Sequence, residues 1–279
     1  MTNAEQWRDR SAQQLVRYEA LVQLLDDIQV VDDLPKIAQR VARQWKYFAN
    51  VACWRLAVAD EGGFLVVDGA RGEATLLEVQ TLSPWDAHHW ALQRPCLIGV
   101  DEAEQRPAPP EHLVGRGVTE VQILPFIRSD RCTGLLSVGA RHEAFNDLDN
   151  KFIRLFGGQL TDRISDLLRR RFASRMIRES EARYRGLAEN SADWIWAMSL
   201  DGRTTYTNDL GLQLLGLTRE EIGETDLMAL VHPDDRGTLM QTFAHAANNG
   251  QGWRNVLIRW RTSLGDYRAF ESNASPMFD

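Results

Sequence analysis

Residues 146–190 read NDLDNKFIRLFGGQLTDRISDLLRRRFASRMIRESEARYRGLAEN, and the rest of the chain is organised around them. Leu148, Phe152, Phe156, Leu160 and Ile164 recur at helical spacing, and Leu167, Leu168, Phe172 and Met176 carry the stripe onward. Asn146 is placed to cap this helix, with Asp147 and Asp149 in the first turn, where the helix dipole favours carboxylates. Asp166 with Arg170, Glu179 with Arg183, and Glu181 with Arg185 are i,i+4 pairs with the acid first. No proline interrupts the run, so the helix is expected to extend roughly 60 Å, longer than one small domain needs. It reads as a connector between two folded units.

Its middle is crowded by Arg169, Arg170, Arg171, Arg175 and Arg178. One reading is a solvated helix face between domains. Another is a parallel two-chain coiled coil, with Leu168 and Met176 in its apolar seam, whose register carries a signal. A nucleic-acid site is disfavoured, because the chain is acidic, net −7, and a lone helix of arginines lacks groove-reading context. Gly157 and Gly158 each cost about 1 kcal/mol against alanine in a helix, and close approach of a neighbouring helix or sheet would explain them.

A length of 279 residues suits two domains, and 44% hydrophobic residues with nine tryptophans are ample for two cores. Three cysteines without paired spacing argue against a disulfide framework and a four-thiolate zinc site. The N-terminus lacks a signal-peptide pattern, and no run approaches the ~20 apolar residues that span a bilayer. The expected setting is the cytosol, without membrane or nucleic-acid partners.

In the first half, Leu15, Tyr18, Val22, Leu25 and Ile28, widened by Leu21 and Leu24, mark an amphipathic helix. Asp32 or Asp33 caps a second, with Pro35 in its first turn and Ile37, Val41 and Trp45 on its buried side. A hairpin follows, Val51 to Ala59 and Phe64 to Gly69, turning at Asp60-Glu61-Gly62-Gly63. Ser83-Pro84 opens a helix with Asp86 completing a capping-box-like pair, and Trp85, His88, His89 and Leu92 share a broad face. Pro95 is expected to stop it before a short strand, Cys96 to Val100. After a proline-rich loop, Arg106 to Pro110, comes a second hairpin, Val118 to Ile127 and Cys132 to Ala140.

Leu124-Pro125-Phe126-Ile127, Gly134-Leu135-Leu136-Ser137-Val138-Gly139 and Phe145-Asn146-Asp147-Leu148-Asp149, in this order of elements, resemble a GAF domain over about residues 20–168. The resemblance implies a six-stranded antiparallel sheet with helices on one face and a small-molecule pocket on the other. Its ligand-binding candidates are Trp54, Phe64, Trp85, His89 and Cys96. Taken singly each reads first as core, and only together do the aromatics with an imidazole suggest a modestly polar pocket. The cyclic-nucleotide and bilin-attachment patterns of some GAF domains are missing.

In the second half, Trp194 to Met198 and Thr204 to Thr207 read as strands, Asn208 as the cap of a helix ending at Gly216, and His232-Pro233-Asp234-Asp235 as a helix start. Strands Trp253 to Thr262 and Tyr267 to Phe278 follow. Tyr206-Thr207-Asn208, Leu215-Gly216, Val231-His232-Pro233-Asp234-Asp235, Tyr267-Arg268 and Ser272-Asn273-Ala274-Ser275-Pro276 resemble a PAS domain over about 184–279. A PAS sheet normally has five strands, and the sequence stops before the last, leaving an edge open to pairing. Trp196, Tyr206, Asn208 and Trp260 are the candidate pocket residues here. Cysteine-based flavin photochemistry is excluded, since none occurs after Cys132.

The fold class expected is therefore α+β, two domains each with an antiparallel sheet and helices, bounded at 1–168, a helical linker at 169–183, and 184–279. The resemblances imply the sensory region of a bacterial signal-transduction protein. It would bind an unidentified small molecule and act as a homodimer on an output domain elsewhere in the protein, a histidine kinase or a cyclic di-GMP enzyme. No catalytic motif, cofactor or metal site is legible. The alternatives are a ligand-free dimerisation platform and a methionine sulfoxide reductase using Cys53, Cys96 and Cys132, as some GAF proteins do.

Overall fold

The computed structural model describes residues 3–70, 72–99, 107–115 and 117–277. Val100, Arg106 and Phe278, which end the expected strands and loop, lie outside the described residues, as does Asp279. The chain divides into two units, Met1–Met176 and Ile177–Asp279, each with its own strands and core.

The first unit contains α1 (Asn3–Gln29), α2 (Leu34–Gln44), β1 (Val51–Asp60), β2 (Gly63–Ala70), β3 (Glu73–Val79), α3 (Pro84–Leu92), β4 (Cys96–Gly99), β5 (Val118–Arg128), β6 (Arg131–Arg141) and the start of α4 (Asp147–Glu189). Its six strands form one antiparallel sheet in the order β3-β2-β1-β6-β5-β4. Strand β3 escaped the sequence reading. It follows Gly72, whose φ of 83° allows the tight return that lays Glu73–Val79 along β2. The β5–β6 turn is two residues long, with Ser129 and Asp130 at φ 48° and 61°, the left-handed pair a two-residue hairpin demands.

Alternation along β1 sends Trp54, Leu56 and Val58 into a core under α1, α2 and α4, while Cys53 and Ala57 face the α3 side. The first core is aromatic at its centre: Trp45 lies 5.0 Å from Phe156 and 5.5 Å from Trp54, and Phe48 5.3 Å from Phe156, between ring centroids. Helix α2 is built as read, with Asp33 capping the Lys36 N–H at 3.0 Å and Ile37, Val41 and Trp45 buried. Helix α1 is different. It buries Leu21, Leu24 and Ile28, and leaves Leu15, Tyr18 and Val22 exposed, so only one of its two apolar stripes is covered.

Asn146 caps α4, accepting from the N–H groups of Leu148 and Asp149 at 3.0 and 2.9 Å. Asp149, itself buried, accepts from Asn146 N–H and Asn50 N–H at 3.2 Å each and from Arg17. The helix then runs unbroken through Gly157 and Gly158 to Glu189. At Gly157 the sheet comes close: a Cβ there would lie 2.5 Å from a Leu136 methyl and 2.8 Å from the Phe126 ring. At Gly158 the nearest atom would be 3.6 Å away, so close approach explains the first glycine only. Leu167 and Leu168 are buried in this unit's core, which corrects the expectation that Leu168 lies in an intermolecular seam. Met176, 45% exposed, stays on the surface. Helix α3 ends at Gln93, left-handed at φ 49°, two residues before the proline expected to stop it.

The second unit contains the remainder of α4, β7 (Trp196–Met198), β8 (Thr204–Thr207), α5 (Asp209–Leu215), α6 (Pro233–Asn249), β9 (Trp253–Arg261) and β10 (Tyr267–Ala274). β7 pairs with β8 and β9 with β10, as two separate two-stranded sheets among the described residues. β7 begins two residues later than read, because Trp194 precedes the ladder with β8. Gly216 ends α5 in a left-handed turn at φ 70°. At the start of α6, His232 Nδ1 accepts from the Asp234 N–H at 3.3 Å, and Asp235 holds the Arg259 guanidinium at 2.7 and 2.9 Å. His232 is thus a cap, as its place before Pro233 suggested.

Candidate functional site

In the first unit the α3 side of the sheet gathers charge. The β1–β2 register places Arg55 opposite Asp68, and the Ser83 cap of α3 turns Asp86 onto the same guanidinium. Arg55 Nη1 donates to both Asp68 oxygens at 2.7 and 2.8 Å, and Nε to both Asp86 oxygens at 2.9 and 3.2 Å. His112 Nε2 lies 3.3 Å from Asp68 Oδ1. One half-buried guanidinium shared by two bidentate carboxylates is satisfied within the protein, and its chemistry here is to hold α3 to the sheet. Arg55, Asp68 and His112 were not singled out from sequence, and Asp86 was read only as the partner of the Ser83 cap. Counting back from the two-residue turn Glu61-Gly62 pairs Arg55 with Asp68, so that part of the cluster was recoverable.

Four of the five candidates fall on this side. Trp85 and His89 are fully buried, Trp85 donating through Nε1 to Ser137 Oγ at 3.4 Å and lying 4.5 Å from the His89 ring. Phe64 and Cys96 are half-buried; Phe64 meets Trp90 edge-on at 5.2 Å, and Cys96 Sγ lies 3.6 Å from His89 Nδ1. Trp54 is on the other face, packed among the helices, and the structure does not bring it to the others, because its neighbour parity along β1 is that of Leu56. Burial pushes the Cys53 and Cys132 thiols up to about 11 each, against partial relief from backbone hydrogen bonds.

The second unit has a cavity of about 1320 Å³. Four tryptophans line it: Trp194, Trp196, Trp253 and Trp260. Trp194 donates to Thr207 Oγ1 at 2.9 Å and Trp253 to Ser272 Oγ at 3.1 Å, so both indoles are held by their polar ends with their faces left apolar. Trp194 also meets Trp260 and Phe270 edge-on at 5.1 and 5.8 Å, while Trp196 stacks on Trp253 at 5.9 Å. Residues from both faces of β10 reach the cavity, Glu271 with Phe270 and Ser272, as they do only where a void runs along a strand edge.

Of the sequence candidates, Trp196 and Trp260 line this cavity, and Tyr206 and Asn208 do not. Asn208 is fully buried and spends its whole amide on backbone. Its oxygen accepts from Ile195 and Gly211 at 3.1 and 3.2 Å, and its nitrogen donates to Ala188 and Asp193 at 3.0 and 2.9 Å. Tyr206 turns its hydroxyl to Glu189 at 3.1 Å. Trp194 and Trp253 are the lining tryptophans missing from the candidates.

Residues 204–279 match the family model of the PAS fold. Over 98 residues, the chain is 31% identical to the uncharacterized protein y4lL of Sinorhizobium fredii. The matched stretch is 35% of this chain and 11% of the relative, so the chain spans about a tenth of that protein's length. Similar solved structures include the GAF domain of a phosphoenolpyruvate-protein phosphotransferase from Coxiella burnetii, at 12% identity and a TM-score of 0.42 over 57% of this chain and 98% of that one. The GAF domain of a two-component sensor histidine kinase from Bacillus halodurans gives 11% and 0.40 over 49% and 97%. The free methionine-R-sulfoxide reductase from Neisseria meningitidis gives 18% and 0.37 over 58% and 91%. Scores below 0.5 go no further than a general likeness of chain course. The chain thus carries a six-stranded antiparallel sheet with helices, then α4, then a region that matches the PAS fold. No helix among the described residues is long and apolar enough to cross a membrane.

Proposed function

We propose that this chain is the sensory region of a cytoplasmic bacterial signal-transduction protein, with the tryptophan-lined cavity of the PAS-like unit as its ligand site. The observation that carries this reading is the set of indole faces held open by Thr207 and Ser272 around a void of ligand size. The exposed part of α4, including Met176 and Ile177, serves a homodimer, and the linker begins near residue 169. The signal passes to an output domain elsewhere in the protein, a histidine kinase or a cyclic di-GMP enzyme. In the GAF-like unit, Phe64, Trp85, His89 and Cys96 form a second, more tightly packed candidate site. A ligand-free platform fits the cavity poorly. Thiol-based sulfoxide reduction fits poorly with two of three thiols buried and raised to about 11.

Native mass spectrometry of protein purified from cells tests this. A dimer carrying a small-molecule mass excess that disappears in Trp196→Leu or Trp253→Leu supports the reading. A species of bare chain mass, with tryptophan fluorescence unaltered by cell extract, overturns it.

A further inference from the structure

The last turn of α4 is tied to the start of α5 by a set of bonds around one carboxylate. Glu189 accepts from the Asp209 N–H at 2.7 Å, from the Tyr206 hydroxyl at 3.1 Å and from Arg219 Nη2 at 3.2 Å. Arg219 reaches on to Asp209 at 2.5 Å, closing a ring of charge. Beside it, Asn208 Nδ2 donates to the Ala188 carbonyl, one of the helix-terminal oxygens left without an intrahelical donor. Between Ala173 and Leu187 every side chain of α4 is exposed, so Ala188 and Glu189 are where the helix regains contact with protein.

Helix α5 also faces the cavity. It supplies Leu210 and Leu214 to the lining, while Asp209 at its first position holds Glu189. Helix α5 is only seven residues long, short enough for a shift at one end to be felt at the other. We propose that Glu189 is a positioning residue that couples the cavity to the end of α4, through Asp209, Tyr206 and Arg219. This rests on the cavity being the ligand site. A ligand that displaces Leu210 or Leu214 has to strain or release the Glu189 bonds. By linkage, releasing them changes the cavity's affinity by the same factor.

The Glu189 carboxyl is held below its ordinary value of 4.5, first by the Asp209 N–H against the opposing effect of desolvation, then by Tyr206 and Arg219. These, with Asp209, are the charged and titratable groups facing it. A lowered folded value means the bonds are intact above the ordinary glutamate range and are lost as pH falls through the lowered one.

The test compares the full chain with Glu189→Gln and Glu189→Ala, reading hydrogen exchange in residues 186–190 and 209–215 and the affinity of Nile red for the cavity. Both variants are expected to exchange at least fivefold faster in both segments and to bind Nile red at least threefold differently, with α6 unchanged as a check on folding. Tyr206→Phe gives a smaller effect of the same sign. Faster exchange confined to 186–190, with 209–215 and dye affinity unchanged, makes Glu189 a local helix stop and overturns the proposal. Failure of Nile red to bind even the parent chain counts against the cavity as ligand site, and exchange in 209–215 then decides the coupling alone.

Discussion

Gly157 and Gly158 are neighbours on one helix, and alanine at the two positions is expected to act with opposite signs. Both substitutions gain about 1 kcal/mol of helix propensity. At Gly158 the new methyl would sit 3.6 Å from the Phe126 ring, an ordinary contact, so the gain is kept. At Gly157 it would sit 2.5 Å from Leu136 Cδ2 and 2.8 Å from Phe126 Cζ, about 1 Å inside normal carbon separation. Leu136 is fully buried, so its methyl cannot retreat into solvent, and overpacking costs typically about 1–3 kcal/mol. The net expectation is a loss of about 1 kcal/mol at Gly157 against a gain of about 1 at Gly158. For a unit of this size that is a gap of roughly 4–8 °C in Tm. Urea denaturation read by pulsed hydrogen exchange in β1 and β6 peptides isolates this unit from the other. A stabilised Gly157→Ala, or a Gly158→Ala as damaged as its neighbour, would refute the account of how α4 packs on the sheet.

Two further outcomes follow from the α3 side of the sheet. Arg55→Met leaves Asp86 buried without its cation and should cost about 3–5 kcal/mol by the same urea assay, with most of it recovered in Arg55→Met/Asp68→Asn/Asp86→Asn; a loss under about 1 kcal/mol contradicts the buried pairing. At pH 8 a thiol raised to about 11 is thiolate in only about one molecule in a thousand, so iodoacetamide with peptide mapping should label Cys96 at least tenfold faster than Cys53 or Cys132. Equal labelling of the three would show the buried thiols to be accessible.

Local chemistry was the legible part of this chain. Asp33, Ser83, Asn146 and Asn208 each announce a helix start because their side-chain oxygens answer N–H groups two or three residues on, and all four do so. What was hidden depends on pairings made at a distance. β3 has charged Glu73 and Glu78 in a half-exposed edge strand, and only its ladder with β2 makes it a strand. α1 shows two apolar stripes, and periodicity cannot say which of Leu21 or Val22 meets the sheet-side core. The candidate sites divide the same way. Aromatic residues could be nominated by type, but the side of β1 that takes Trp54 is set by which helices cover it, and the hairpin alone leaves that open. Tyr206 and Asn208 looked like lining because they sit at the right place in the chain; the Glu189 carboxylate claimed Tyr206, and backbone carbonyls of α4 and the loop before β7 claimed Asn208.

Phe152, Phe156, Leu160, Ile164, Leu167 and Leu168 give the first half of α4 a fixed rotational setting within the first core. Inserting one residue before Leu168 would swing every later buried side chain by about 100° and empty the sockets they fill. Between Ala173 and Leu187 no such sockets exist, since these side chains meet solvent. Insertions and deletions in that exposed segment therefore leave the packing of the first core intact, as none do within the buried half of the helix.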